Sequence, residues 1–300
     1  MIKRAHIRQF LAVVDAGSFT QAAQQIRVTQ PALSTGVAEL ERLVGAQLFI
    51  RNRRKIRLTE AGGRFLPIAR ELERAFRAAD GFGRNETAPA PVLRIGTIRS
   101  APGEFLQRIV AEFARAFSIE IVEGNDAELR AALANGRIQM ALVPLAAGEG
   151  EAAAMALFEE PLVMLVGEAH PLAGRDEVSP EELAPETMIA RRSCEYLDAT
   201  SRFFTRHGVR PRFSLRSDSD ERCLRMVAAG IGITTAPVSM AIDGTVPLRV
   251  AGYDFRRELG LLFAADWSGL PDVARRLEGP LKAVAAIAYD WYRSKVAARA

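Results

Sequence analysis

The sequence predicts a multidomain α+β protein, in which a small helical N-terminal domain is followed by a long helix and a larger α/β domain. The chain has 300 residues, of which 49% are hydrophobic, and this is enough for more than one core. Apolar residues recur at helical spacing up to about residue 80, and short apolar runs alternate with helical patterns after residue 91. The charge is uneven, because residues 1–60 carry ten Lys or Arg against four acids. A locally basic N-terminal domain is typical of proteins that bind nucleic acid.

A helix-turn-helix is predicted near the N-terminus, after a first helix that contributes to its core. Ser18 is a good N-cap for the next helix, and Gln21 has the spacing of a capping box. Residues 27–29 are too few for anything except a turn between two helices. Thr29 is a second N-cap, and Pro31 falls in the first helical turn, where a missing N–H costs little.

The helix that starts at residue 30 has two contrasting faces. Its apolar residues recur every three or four positions and predict a buried face, formed by Leu33, Val37, Leu40 and Val44. The other face is small or polar near the N-terminus, with Gln30, Pro31, Ser34, Thr35 and Ala38. Amide and hydroxyl groups placed in this way hydrogen-bond base edges in the major groove of DNA.

A basic β-wing is predicted directly after this helix. Leu48 and Phe49 return the chain to the core, and five of the seven side chains from Arg51 to Arg57 are cationic. Such a segment suits a hairpin that lies along phosphates. The alternative is a solvated charged loop, but the neighbouring helix-turn-helix favours the phosphate interpretation.

These segments resemble the N-terminal signature of LysR-type transcriptional regulators. The resemblance is carried in order by SFTQAA (18–23), TQPALS (29–34), LE (40–41), LF (48–49), Arg51, Arg54 and RLTEAG (57–62). It implies a winged helix-turn-helix that binds double-stranded DNA to regulate transcription. The predicted DNA-binding residues are Ser18, Thr20, Thr29, Gln30, Pro31, Ser34, Thr35, Arg51, Arg53, Arg54, Lys55 and Arg57.

Two positions depart from the family pattern. Thr35 stands where the family usually has an arginine, and Gly36 where it usually has a larger polar residue. One base or phosphate contact of the family is therefore in question. Arg53 and Lys55 add charge to the wing, and we interpret them as compensation.

A long helix from Glu60 to about Ala79 is predicted next, with Thr59 as its cap. Its apolar residues approximate a heptad seam formed by Phe65, Ile68, Leu72, Phe76 and Ala79. A helix packed on its own domain would look similar, but the resemblance implies a linker helix that builds a homodimer and, beyond it, a homotetramer. The predicted domains are 1–60 for the winged helix-turn-helix, 61–91 for the linker helix and hinge, and 92–300 for the last domain.

The last domain is predicted to be a parallel α/β structure of two lobes, since strands and helices alternate along it. We assign residues 92–161 and 267–300 to lobe 1 and residues 162–266 to lobe 2. Segments such as NGRIQMALV (135–143), AHPLA (169–173) and MVAAGIGI (226–233) resemble the effector-binding domain of the same regulators. That resemblance implies a fold like that of periplasmic binding proteins, with a small-molecule effector between the lobes.

The effector site is predicted where strands end and helices begin, because helix N-termini point into the crevice of open α/β sheets. The predicted effector-binding residues are Arg99, Ser100, Asp126, Arg192, Ser193 and Thr235. Arg99, Arg191 and Arg192 near this mouth would suit an anionic effector. The alternative is that these arginines face solvent or pair with acids such as Glu195.

The sequence favours regulation over catalysis. No nucleophile–base pair or metal-ligand spacing is legible, so we expect no enzyme activity, no metal site and no cofactor. A redox-sensing regulator using Cys194 and Cys223 is one competing hypothesis, and two unlinked thiols are the simpler interpretation. An architectural DNA-binding protein without effector is a second hypothesis, and an enzyme or transport-type module with a DNA-binding head is a third. We expect a cytoplasmic location, no membrane partner, and RNA polymerase as a further partner.

Overall fold

The N-terminal domain is a three-helix unit followed by a β-hairpin. The structure, a computed structural model, describes residues 1–52, 55–81, 90–146, 149, 154–264 and 271–297. Helices α1 (Arg4–Ala16), α2 (Phe19–Gln25) and α3 (Gln30–Val44) precede strands β1 (Phe49–Asn52) and β2 (Lys55–Leu58). The two strands pair antiparallel, with Phe49 opposite Leu58. The predicted helix-turn-helix and wing are thus confirmed as structural elements.

Ser18 and Thr29 cap α2 and α3, as predicted. Ser18 Oγ accepts a hydrogen bond from Gln21 N at 3.5 Å, and Thr29 Oγ1 accepts one from Ala32 N at 3.4 Å. The reciprocal bond of the predicted capping box, from the Gln21 side chain, is not found among the described residues. Between the helices Arg27 has a φ of 57°, a left-handed conformation that makes the turn tight.

Helix α4 (Glu60–Gly81) packs its first half into the core of the N-terminal domain. Phe65 lies 5.3 Å from Phe10 between ring centroids and is 9% exposed, so it belongs to this core rather than to the predicted seam. Phe65 is buried because the start of α4 packs over α1. Ile68 and Phe76 lie on another side of the helix and are 54% and 38% exposed.

The C-terminal domain is built on a mixed sheet. Its first part contains β3 (Val92–Ile98), α5 (Gly103–Ala114), β4 (Ser118–Gly124), α6 (Asp126–Ala134) and β5 (Met140–Pro144). Strands β4, β3 and β5 are parallel neighbours, as predicted. These strands and α5 share one apolar core, which includes Phe105 and Phe113.

One long strand, β6 (Ala154–Gly167), runs from the first lobe into the second. The remaining elements are β7 (Glu177–Val178), β8 (Thr187–Arg191), α7 (Leu197–Arg206), β9 (Arg212–Ser217), α8 (Asp220–Ala228), β10 (Thr234–Pro237), β11 (Thr245–Val250), β12 (Arg256–Phe263) and α9 (Pro271–Trp291). Short 3₁₀ turns span Glu181–Leu183 and Val238–Met240, and a π-helical turn spans Tyr292–Val296. The first half of β6 pairs with β12, and its second half pairs with β10 and β11.

Two sequence predictions about this sheet are corrected. The sheet is not entirely parallel, because β12 is antiparallel to both β5 and β6, and β10 and β11 are antiparallel to β6. Strand β12 also lies among the strands of the first lobe, whereas the predicted range of lobe 2 includes it. Local periodicity does not reveal strand direction, so these long-range pairings were not legible in the sequence.

Two adjacent glycines near the start of α4 give a matched test of this packing. A Cβ on Gly62 would lie 2.1 Å from the backbone oxygen of Leu48, whereas a Cβ on Gly63 would meet nothing within 4 Å. We expect Gly62→Ala to destabilise the N-terminal domain by about 1–3 kcal/mol, because backbone must move. We expect Gly63→Ala to stabilise it by roughly 0.5–1 kcal/mol through helix propensity. Urea denaturation followed by circular dichroism measures both changes, and equal effects of the two substitutions would contradict the packing.

Candidate DNA-contacting face and interlobe site

The outward face of α3 presents the predicted base-reading residues. Gln30, Pro31 and Thr35 are exposed and Ser34 is half-buried, while Leu33, Val37 and Leu40 of the same helix lie in the core. Among the described residues, no hydrogen bond within the chain engages the side chains of Gln30, Ser34 or Thr35. The amide and hydroxyl groups at this end of α3 are therefore available to an external partner.

The two capping residues lie at the edges of the same surface. The oxygen atoms of Ser18 and Thr29 accept backbone hydrogen bonds, and each hydroxyl still has its proton to donate. Thr20 is exposed in the first turn of α2. Helix N-termini also carry partial positive charge, which favours a phosphate nearby.

The wing that follows α3 also carries cationic side chains. Arg57 is exposed on β2, opposite Ile50 of β1. Arg51 and Lys55 belong to the two strands, although their side chains lie outside the described part of the structure, and Arg53 and Arg54 lie outside it entirely. The contact of these side chains with phosphates stays a prediction.

The departure at Gly36 has a structural counterpart in α1. A Cβ at position 36 would lie 1.8 Å from Gln9 Oε1, so the Gln9 side chain occupies the space that a larger residue would need. The same oxygen is buried and has no hydrogen-bond partner among the residues that the structure describes. Residues 9 and 36 are thus fitted to each other in the contact between α1 and α3.

A polar network centred on Ser100 joins the two lobes. Ser100 follows β3, is fully buried and donates a hydrogen bond to the carboxylate of Glu195 in the loop after β8. Arg257 of β12 donates to Ser100 Oγ at 2.9 Å and to its backbone oxygen at 3.2 Å. The Arg257 guanidinium also pairs with Glu160 of β6 at 2.8 Å and lies 3.6 Å from Glu195. Four side chains from four segments therefore meet at one point between the lobes.

A second network fixes the start of the loop after β8. Arg191 Nε and Nη2 donate to the two carboxylate oxygens of Asp220 at 2.7 and 2.8 Å, and Ser193 donates to Asp220 at 2.8 Å. Arg191 also donates to the backbone oxygen of Thr235 at 3.1 Å. Burial lowers the pKa of Arg191, but its hydrogen bonds with Asp220 outweigh this effect and leave the pKa above its usual value. Arg191 is thus occupied within the protein, in line with the alternative that arginines here pair with acids.

The other predicted effector residues are placed differently. Arg99 and Arg192 are exposed beside Ser100 and Ser193, whereas Thr235 is buried within β10 rather than following a strand. Asp126 is bound by Arg130 at 2.8 Å, and the structure shows no contact between it and the Ser100 network. The cap of α6 is Asn125, which forms a capping box with Glu128. The spacing of residues 125 and 128 in the sequence already carried this signal.

Sequence reasoning missed Glu160 and Arg257. Both are fully buried, and they face each other in the register of β6 and β12. Charged residues inside otherwise apolar strands are a signal of a buried pair, since an unpaired buried charge is costly. The sequence alone did not show that the two strands are neighbours.

The two cysteines are free thiols in buried positions. Burial raises the pKa of both Cys194 and Cys223. A raised pKa lowers the fraction of reactive thiolate, so the arrangement does not favour the redox hypothesis. Within the described residues there is no cluster of three or more potential metal ligands, and no helix there is long and apolar enough to cross a membrane.

Known proteins resemble this chain over most of its length. Its relatives include the HTH-type transcriptional regulator TtuA of Agrobacterium vitis, 30% identical over 87% of this chain and 90% of that protein. The RuBisCO operon transcriptional regulator of Allochromatium vinosum is 28% identical over 86% and 88% of the two chains.

Solved structures share the fold. A full-length OxyR variant from Pseudomonas aeruginosa has a TM-score of 0.61 and 22% identity, with 95% of each chain covered. HinK, a LysR family transcriptional regulator from the same species, has a TM-score of 0.51 and 24% identity, covering 97% of this chain and 99% of that one.

Two family models divide the chain as the structure does. Residues 5–63 match the model described as bacterial regulatory helix-turn-helix protein, lysR family, and residues 86–277 match the LysR substrate binding domain. The first match covers the three helices and the wing, and the second runs from before β3 to the first turns of α9. The chain therefore belongs to the LysR family of transcriptional regulators, as the sequence resemblance predicted.

Proposed function

We propose that this LysR-family regulator reads a specific DNA site with α3 and responds to a small-molecule effector bound between its two lobes. The observation that carries the proposal is the polar, outward N-terminal face of α3 in a domain that also carries a cationic wing. An apolar opposite face anchors this helix in the core, so the reading face is held rigidly. The relatives bear names of transcriptional regulators, which supports regulation rather than catalysis.

Base reading and phosphate binding fall to different residues in this proposal. Gln30, Ser34 and Thr35 meet base edges in the major groove, where an amide can bind adenine through two hydrogen bonds. Arg57 and the other cationic side chains of the wing hold phosphates, and Ser18, Thr20 and Thr29 add hydroxyl contacts. Specificity then depends on α3, whereas much of the affinity and its salt dependence depends on charge.

The functional unit is a homodimer in this proposal, assembling further to a tetramer. Ile68, Phe76 and Ala79 lie exposed along α4 at spacings of eight and three residues, which suits one face of a helix. Two exposed large apolar side chains on one helix are explained if a second copy covers them. A two-fold dimer matches a partly palindromic DNA site.

Effector binding acts on the junction of the lobes in this proposal. Ser100, Ser193 and Thr235 lie at or beside the junction, with Arg99 and Arg192 exposed next to it, and these arginines favour an anion. A ligand that binds two relative positions of the lobes with different affinity shifts their populations and hence the DNA geometry of the dimer. Transcription control of this kind brings in RNA polymerase as a partner and places the protein in the cytoplasm.

Footprinting on the DNA upstream of the protein's own gene tests the proposal. We expect a discrete footprint with dyad symmetry that survives excess nonspecific DNA, and a metabolite that alters the footprint or the DNA bend. Diffuse binding that disappears at modest salt would instead favour the architectural hypothesis, since charge would then dominate.

Gln30→Ala tests base reading. We expect the discrimination between the specific site and random DNA to fall by about 1–3 kcal/mol, because one base contact is lost. Nonspecific affinity should stay unchanged. Gln25→Ala, an exposed glutamine at the end of α2, is the matched control. Competition gel-shift assays measure both, and an unchanged site preference in Gln30→Ala would remove this residue from the reading face.

Arg57→Gln tests the phosphate contact of the wing. We expect weaker binding to every DNA sequence and a slope of log K against log salt that is reduced by about one. Arg115→Gln, at an exposed arginine of lobe 1, should leave the slope unchanged. A loss confined to one sequence would show that Arg57 reads a base instead.

Ile68→Lys tests the α4 seam. A charge at this exposed position should separate the dimer, because it would be buried against the second copy. Sedimentation velocity at micromolar concentration should then show the monomer, while Ile231→Lys in the second lobe should keep the dimer. A dimer that persists in Ile68→Lys would place the interface elsewhere.

A further inference from the structure

The loop after β8 places a carboxylate of the protein itself at the interlobe junction. Glu195 belongs to lobe 2, and its oxygen accepts the hydroxyl proton of Ser100, which follows β3 in lobe 1. Its other contact in the described structure is the Arg257 guanidinium at 3.6 Å. A buried serine hydroxyl and a buried guanidinium thus converge on one carboxylate that comes from the opposite lobe.

The charges at this junction make Glu195 the exchangeable member. Glu160 is fully buried and satisfied, since it accepts from Arg257 Nε at 2.9 Å and from Ser239 N at 2.9 Å. One guanidinium therefore faces two carboxylates. The side chain of Glu195 is 16% exposed and lies in a loop, so it can leave without breaking the buried pair.

We propose that Glu195 is a tethered competitor of the effector: its carboxylate occupies the position at Ser100 and Arg257 that a carboxylate of the effector takes on binding. This proposal rests on the proposed function, because it assumes an effector between the lobes. The exchange replaces one carboxylate with another, so the buried charge does not change. No desolvated ion is left unpaired during the exchange, which keeps the step accessible.

The tether has two consequences. The Glu195 carboxylate is held on the same chain and therefore competes at a high effective concentration. A simple carboxylate should bind weakly for this reason. An effector needs further contacts with the protein to displace Glu195. Displacement also breaks the hydrogen bond from Ser100, which is a direct link between the lobes, and leaves Tyr196, which donates to the backbone oxygen of Arg256 at 2.8 Å, as the next contact of this loop with β12. Recognition of the ligand and release of the interlobe contact are then one event.

Calorimetric titration of the full-length protein with sodium formate, acetate and benzoate tests this inference, with acetamide and benzamide as uncharged counterparts. We expect Glu195→Ala to bind at least one carboxylate about tenfold more tightly than the native protein, with no gain for the amides. Glu195→Gln keeps the size of the side chain and should show an intermediate gain. Asp198→Asn removes a nearby exposed acid from α7 and should show no gain.

Each other outcome overturns the proposal. Equal or weaker carboxylate binding in Glu195→Ala, or no carboxylate binding by any of the proteins, would mean that Glu195 does not guard an anion position. Gains of equal size for amides and carboxylates would indicate a simple widening of the site. A DNA footprint of the native protein without ligand separates this failure from failure of the proposed function, because a discrete footprint reports site reading by α3 whether or not Glu195 guards an anion position. Melting curves confirm that each variant is folded.

Discussion

The polar contacts at the junction of the two lobes are organised around the buried guanidinium of Arg257. It binds Glu160 on the neighbouring strand and Ser100 after β3, and it lies near Glu195 from the second lobe. A charge without water must be paired, and removing one partner of such a pair costs about 3–5 kcal/mol. Strand β6 crosses between the lobes at this point. The junction is therefore built around a polar centre to which the second lobe contributes the exchangeable Glu195, while the rest of each lobe is held by apolar packing.

In the DNA-binding domain, by contrast, the apolar residues form the centre and the polar residues lie outside. Its helices are held by an apolar core in which Phe10 contacts both Phe49 and Phe65, and the polar face of α3 is left outside. The start of α4 closes this core, so the linker helix is continuous with the domain that it carries. The exposed apolar residues further along α4 remain for another contact. The apolar periodicity of the sequence did not separate the α4 residues that close the core from those that stay exposed. Both faces of a helix can carry apolar residues at similar spacing.

The fit between residues 9 and 36 shows how a departure from a family pattern is absorbed. The absence of a side chain at Gly36 is filled by Gln9 from α1 rather than left as a void. An interior without gaps preserves the contacts of both helices. The reading face beside it keeps its short polar residues, so the departure concerns the support of α3 as well as its surface.

The reading face of α3 and the interlobe cluster differ in how far they could be predicted from the sequence. The residues of α3 were predicted because caps, turn and periodicity all act within about fifteen residues of chain. For the interlobe cluster, Ser100 and Ser193 were candidates from the sequence, and their contact with an effector stays a prediction; Asp126 is engaged by Arg130, and Glu160 and Arg257 were missed. Residues 160 and 257 meet through strand pairing over nearly a hundred positions, and no local pattern encodes that distance.

The sequence by itself determined most of the helices and strands, the winged helix-turn-helix, the two-part organisation and the family, because these follow from local spacing and from ordered motifs. Only the tertiary structure decided the direction of β12, the place of Phe65 in the core and the carboxylate that meets Ser100. The physical reason is that burial and ion pairing depend on which distant segments become neighbours, and this is settled by packing of the whole chain.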